Sequence, residues 1–155
     1  MKIGEDERPF LIAEARAYAE HLSDPDTRTA FEQIALTAEQ GEVPDELIPH
    51  VAGLLALALE SGRTRTVHGP AGVRALLALW KETPRAREMS RSVEELNVAL
   101  GALKDLPVRS LRVSPLGPGS YSVSVAAGDL EVRLSVDRSG VTLRSVNVGG
   151  GGVGE

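Results

Sequence analysis

The hydrophobic period of this chain changes once, at Pro107, and no other feature of the sequence restricts the fold as strongly. Before that proline, apolar residues recur at helical spacing. After it they recur at every second position, the period of a strand with one buried face.

In the first part, Leu11, Ala15, Tyr18 and Leu22 stand at i, i+4, i+7 and i+11 and predict an amphipathic helix over 6–22. Ser23-Asp24-Pro25-Asp26 supplies a cap residue followed by proline in the first turn. Phe31, Ile34, Ala35 and Ala38 then carry a second helix over 25–40, stopped by Gly41. A third helix has its body at 51–61 and its end at Gly62, with Pro49 either in its first turn or in a short turn before it. The segments VAGLLALALE and GVRALLALW are apolar almost all the way round, which places each of them in a core or under a partner chain. Thr83-Pro84 opens the last helix, along which Met89, Val93, Leu96, Leu100 and Leu103 form one stripe.

Beyond Pro107, Leu111 and Val113, then Tyr121, Val123 and Val125, then Leu130, Val132, Leu134 and Val136, then Val141 and Leu143 alternate with Ser, Arg, Glu and Thr. Four strands are expected, with turns at 115–119, 127–128 and 137–140 short enough to force antiparallel neighbours. The expected fold class is therefore α+β: an N-terminal helical part of about four to five helices, then a four-stranded antiparallel β-meander packed against the preceding helix. We expect one domain over 1–148, helical at 6–104 and a meander at 108–148, followed by a disordered glycine-rich tail at 149–155.

Composition limits the chemistry. The absence of cysteine excludes disulfides, thiolate catalysis, Fe–S clusters and Cys-based zinc sites. Phe10, Phe31, Tyr18, Tyr121 and Trp80 are the only aromatic residues, too few for platforms that stack single-stranded nucleic acid or sugars. The start MKIGEDERPF has neither the basic start nor the apolar stretch of a signal peptide, and no apolar run reaches the roughly 20 residues of a membrane span. A cytoplasmic protein without membrane contact is the expectation. Charge is divided along the chain: residues 1–61 hold four basic and thirteen acidic residues, whereas 62–114 hold ten and five. Such a division favours self-association or an internal attraction. It disfavours nucleic acid, whose binders are usually basic throughout.

The densest candidate cluster is RTRTVHGPAGVR at 63–74. Arg63, Arg65, His68 and Arg74 surround Gly69-Pro70, where a helix start is expected to offer free amides to an anion. A solvated basic linker is the plainer reading of the same residues. Glu46 and His50 are four apart, but Pro49 interrupts the helix that would align them, and no metal motif accompanies them. SPLGPGSYS at 114–122 lacks the lysine and the following helix of a phosphate loop and reads as a hairpin. No serine lies in GxSxG or SxxK. No catalytic residue, metal ligand or cofactor is expected.

Three functions remain after these exclusions. The leading expectation is a protein-interaction or assembly module acting as a homo-oligomer, or with another protein, through Leu54, Leu57, Leu77 and Trp80 of the all-round apolar helices. One alternative is a small-molecule binding domain with a pocket between sheet and helices. Another is an enzyme that uses Glu14, Asp45 or Glu46 with an arginine of the 63–74 cluster.

Overall fold

The computed structural model describes residues 1–149, so the glycine-rich tail expected to be disordered lies, from 150 on, outside the described residues. The elements are α1 (Arg8–Ala19), α2 (Pro25–Glu39), a 3-10 turn (Asp45–Leu47), α3 (Ile48–Glu60), α4 (Arg63–Glu82), α5 (Pro84–Gly101), β1 (Val108–Gly117), β2 (Ser120–Ala127), β3 (Leu130–Asp137) and β4 (Gly140–Val148). The fold is α+β, with its helices first and its meander last, as the change of period predicts. Internal contacts divide the chain into two compact units, Met1–Arg87 and Glu88–Glu155.

The first unit is built from helices around one core. Asp24 caps α2 by accepting from the Thr27 backbone N–H at 2.9 Å, and Pro25 occupies the first turn, where its missing donor costs nothing. The apolar stripe of α1 contributes Leu11 and Ala15, and that of α2 contributes Phe31, Ile34 and Ala35. α3 lies between α1, α2 and α4, which accounts for its all-round apolar sequence: Val51, Leu54, Leu55 and Ala58 are fully buried. The N-terminal segment adds one bridge to the chain after α2, with Ile3 N–H donating to Gly41 O and Val43 N–H to Met1 O, each at 2.8 Å.

α4 is two helical pieces joined at a kink. At Gly69 the backbone takes φ 65° and ψ −163°, a region open in practice only to glycine, and Pro70 begins the second piece. The helix start expected at Gly69-Pro70 is therefore present. Residues 63–68, in contrast to the linker reading, are helical: Gly62 turns the chain with φ 73°, and the buried Thr64 hydroxyl donates to Ala58 O at 3.1 Å. Thr83 then caps α5, its Oγ1 accepting from Ala86 N–H at 3.2 Å.

In the second unit the sheet has the order β1-β2-β3-β4, all antiparallel, with two residues left between each pair of strands. β1 is longer than its alternation suggests. It runs through Pro115, which pairs with Tyr121, and the turn narrows to Pro118-Gly119. Proline is tolerated here because β1 is an edge strand. β4 is also longer, and it contains a bulge. Arg133 pairs with Ser145 while Leu134 pairs with Leu143, which leaves Arg144 as the extra residue. The shift keeps Leu143 and Val146 on one face although three positions separate them.

One face of the meander is consequently apolar at every level. Leu111, Val125, Val132 and Val146 form one cross-strand row; Val113, Val123, Leu134 and Leu143 form the next; Pro115, Tyr121, Val136 and Val141 form a third. α5 and its C-terminal turn supply the cover, with Leu96 and Ala99 buried, Met89 against Gly140 and Leu106 against Gly128. A helix with side chains is about 10 Å across. Strands are about 4.8 Å apart, so the outer strands of this sheet lie about 14 Å from each other. One helix cannot cover four strands, and the exposures follow that limit. On β3, Val132 is 0% and Leu134 is 8% exposed, whereas Leu111 and Val113 on β1 are 69% and 62% exposed and Val148 on β4 is 74% exposed.

Candidate functional site

Two places in the molecule carry more than packing: a charged cluster inside the first unit and the uncovered part of the meander in the second.

The cluster is centred on Glu14. This residue lies three positions after Leu11 and four before Tyr18, on the inner face of α1, and its side chain is completely buried. A carboxylate there needs a partner, because removing an ion from water is very costly. Arg63 provides one, its Nε donating to Glu14 Oε2 at 3.0 Å. His68 provides the second, with Nε2 at 2.9 Å from Oε1. The two atoms are in contact, but neither Oε1 nor Nε2 has a hydrogen-bond partner.

The backbone puts these groups together. Arg63 and His68 are the first and last residues of the short helical piece of α4, and the Gly69 conformation ends that piece at the imidazole. Gly72, in the next turn, leaves the ring its space: a Cβ at this position would stand 2.3 Å from the His68 Cβ. Phe10 packs edge-on to the imidazole with ring centroids 5.4 Å apart. The Arg63 guanidinium lies 6.0 Å from the centre of the Tyr18 ring, and the Tyr18 hydroxyl is 3.2 Å from Ser61 Oγ. Glu14, Phe10 and Tyr18 come from α1, Ser61 from the C-cap of α3, and Arg63 and His68 from α4. The cluster thus joins the first helix to the fourth.

The four residues expected to hold an anion divide in two. Arg63 and His68 turn inward, and the anion they hold is the chain's own Glu14. Arg65 and Arg74 remain exposed. Arg74 lines an open depression of about 400 Å³ with Asp6, Glu7, Phe10, Ala71 and Ala75, a lining with more acid than base. Of the residues expected at an interface, Leu54 is fully buried in the core of its own unit and Trp80 is half-buried against that core, whereas Leu57 and Leu77 are exposed. Glu46 sits exposed on the 3-10 turn and His50 half-buried in the first turn of α3. Among the described residues, no three His, Asp or Glu side chains are grouped so as to hold a metal ion, and no helix is long and apolar enough to cross a membrane.

Of Glu14, Asp45 and Glu46, the three carboxylates that the sequence offers to an arginine of 63–74, the structure brings Glu14 to Arg63. A signal for its burial exists in α1, since the position falls inside the Leu11–Ala15–Tyr18 stripe. The exposed apolar face was less visible. Alternation shows that Leu111 and Val113 share a face with Val132 and Leu134, but it does not show the width of the layer above them.

No family model, characterised protein or solved structure matches this chain.

Proposed function

We propose that the protein is an interaction module that assembles with copies of itself, and that the uncovered part of the meander's apolar face is the contact. The observation that carries this reading is the mismatch in the second unit between one helix and four strands. It leaves Leu111, Val113, Tyr121, Val146 and Val148 exposed on a single apolar face. Contiguous apolar surface on a soluble chain marks an interaction site, because bringing it out of water is favourable at roughly 25 cal/mol per Å². The meander offers a broader apolar surface than the helices, where Leu57 and Leu77 are exposed but α3 buries Leu54 inside its own unit. A role in assembly also agrees with the Glu14 cluster. The fully buried carboxylate bonds to Arg63 through Oε2 and lies beside His68 through Oε1, an arrangement suited to holding α1 against α4.

Light scattering on the full chain tests the proposal. A dimer or larger species that persists at high salt is expected, since apolar contacts are not screened. Leu111→Ser with Val113→Ser is expected to shift the mass toward the monomer while the circular dichroism spectrum stays unchanged. A strict monomer in the unsubstituted chain, or a double variant that assembles as the parent does, would overturn it.

A further inference from the structure

The strand period that creates the apolar face also fixes its opposite, and that second face has a charge pattern of its own. Ser110, Arg112 and Ser114 on β1, Ser122 and Ser124 on β2, and Glu131 and Arg133 on β3 line one open depression of about 390 Å³. Register puts Arg112 opposite Ser124 and Ser124 opposite Arg133, so a hydroxyl stands between two arginines on adjacent strands. The neighbouring row is Ser114, Ser122, Ser135 and Thr142.

The charges on this face are not balanced. Glu131 is taken by Arg133, which reaches its two oxygens through Nε at 3.1 Å and Nη2 at 3.2 Å. Asp129, at the β2–β3 turn, meets Arg109 at 3.6 Å. Arg112 forms no ion pair with any described residue, and the hairpin from 108 to 127 contains two arginines and no acid. Arg144, the bulged residue of β4, donates through Nε to Ser135 Oγ at 2.9 Å, and Ser135 lies 2.7 Å from the Thr142 hydroxyl. The bulge thus brings a further guanidinium to this face.

We infer that this polar face is a binding site for a tetrahedral oxyanion, a phosphate or sulfate group, seated on Arg112 and the hydroxyls of Ser122 and Ser124. Guanidinium and hydroxyl groups are donors, and the uncompensated charge selects an anion. The donors stand on two neighbouring strands of one face, so they can reach separate oxygens of a single anion. A tetrahedral anion offers oxygens in several directions, whereas a carboxylate offers two in one plane. The site lies on the face opposite the proposed assembly contact and does not depend on it.

The test is an NMR titration of the isotope-labelled full chain at constant ionic strength, with inorganic phosphate in one arm and glycerol phosphate in the other. Saturable shifts confined to the amides around Arg112, Ser122 and Ser124 are expected. Saturation by inorganic phosphate identifies a free anion as sufficient, and saturation by the ester alone identifies a phosphate carried on an organic group; either supports the site. Arg112→Ala is expected to weaken binding about tenfold, the loss of roughly one charge-assisted hydrogen bond, and Arg138→Ala in the β3–β4 turn to leave it unchanged. Spectral dispersion verifies that both variants fold. Shifts that match those from chloride, or that are equal in the two variants, would overturn the inference.

Discussion

The two units reach their cores by opposite routes. In the first, every helix has helical neighbours on more than one side, and Leu11, Ile34, Leu54, Leu55 and Leu76 lose all contact with solvent. In the second, a sheet with twelve apolar residues in three cross-strand rows has one helix above it, and only its middle is covered. Leucine is common to both interiors, with alanine beside it in the first and valine in the second. The difference lies in shape, because helices enclose one another while a sheet needs a covering layer as wide as itself. Burial in this chain is therefore decided by the geometry of the covering elements as much as by the hydrophobicity of the residue.

The sharpest way to break that comparison is to make the same truncation in both units. Leu54→Ala is expected to destabilise the first unit by roughly 2 to 5 kcal/mol, the range for a buried leucine that leaves a cavity. Leu111→Ala is expected to change the stability of the isolated chain by about 0.5 kcal/mol or less, as for other exposed positions. Thermal and denaturant melts compare the two, and equal losses would mean that the outer strand is covered after all.

A smaller effect distinguishes the charged part of the first core from its apolar part. Arg63→Ala leaves the buried Glu14 carboxylate with His68 alone and is expected to cost about 3 kcal/mol, toward the low end for a broken buried pair because Arg63 is itself 38% exposed. Glu14→Gln removes the buried charge instead, so it is expected to cost less than Arg63→Ala. The reverse order in a denaturant series would show that Glu14 is stabilised by something other than Arg63.

The smallest expected effect concerns the entry to α2. Hydrogen bonds from the Thr27 hydroxyl, and next from its backbone N–H, hold the Asp24 carboxyl below its ordinary range. A carboxyl lowered in the folded state stabilises it above the unfolded value, and that contribution fades as pH falls through the folded value. Asp24→Asn keeps a capping oxygen but does not titrate. Its melting temperature is expected to depend less on acid than that of the parent chain, and identical acid profiles would argue against the cap.

Much of the fold was legible because local and global signals coincide. The proline-marked helix starts, the stripes of α1, α2 and α5 and the alternation after Pro107 each arise from residues close together in the chain. What was missed depends on partners distant in sequence or on a break in the period. Glu14 meets Arg63 across 49 positions, and no spacing rule reaches that far. Pro115 suggested a turn, yet an edge strand accommodates it. The site residues were legible as a cluster but not in their destination. Proximity in 63–74 grouped Arg63, Arg65, His68 and Arg74, while the direction of each side chain was set by the Gly69 conformation and by the carboxylate beneath.

The bulge at Arg144 makes the length of β4 part of its information. Leu143 and Val146 share a face only because one residue stands outside the ladder between them. Removing a single residue at 144 or 145 would restore regular alternation with Leu143, Val146 and Val148 still on one face, whereas adding one there would turn Val146 and Val148 to the side occupied by Arg133 and Glu131. This strand behaves like a reading frame: substitutions at 144 and 145 alter one side chain, but a residue inserted there rewrites all that follow. Among relatives of this chain, insertions should be rarer across 143–146 than in the two-residue turns that join the strands, and a single deletion there should be tolerated better than an insertion.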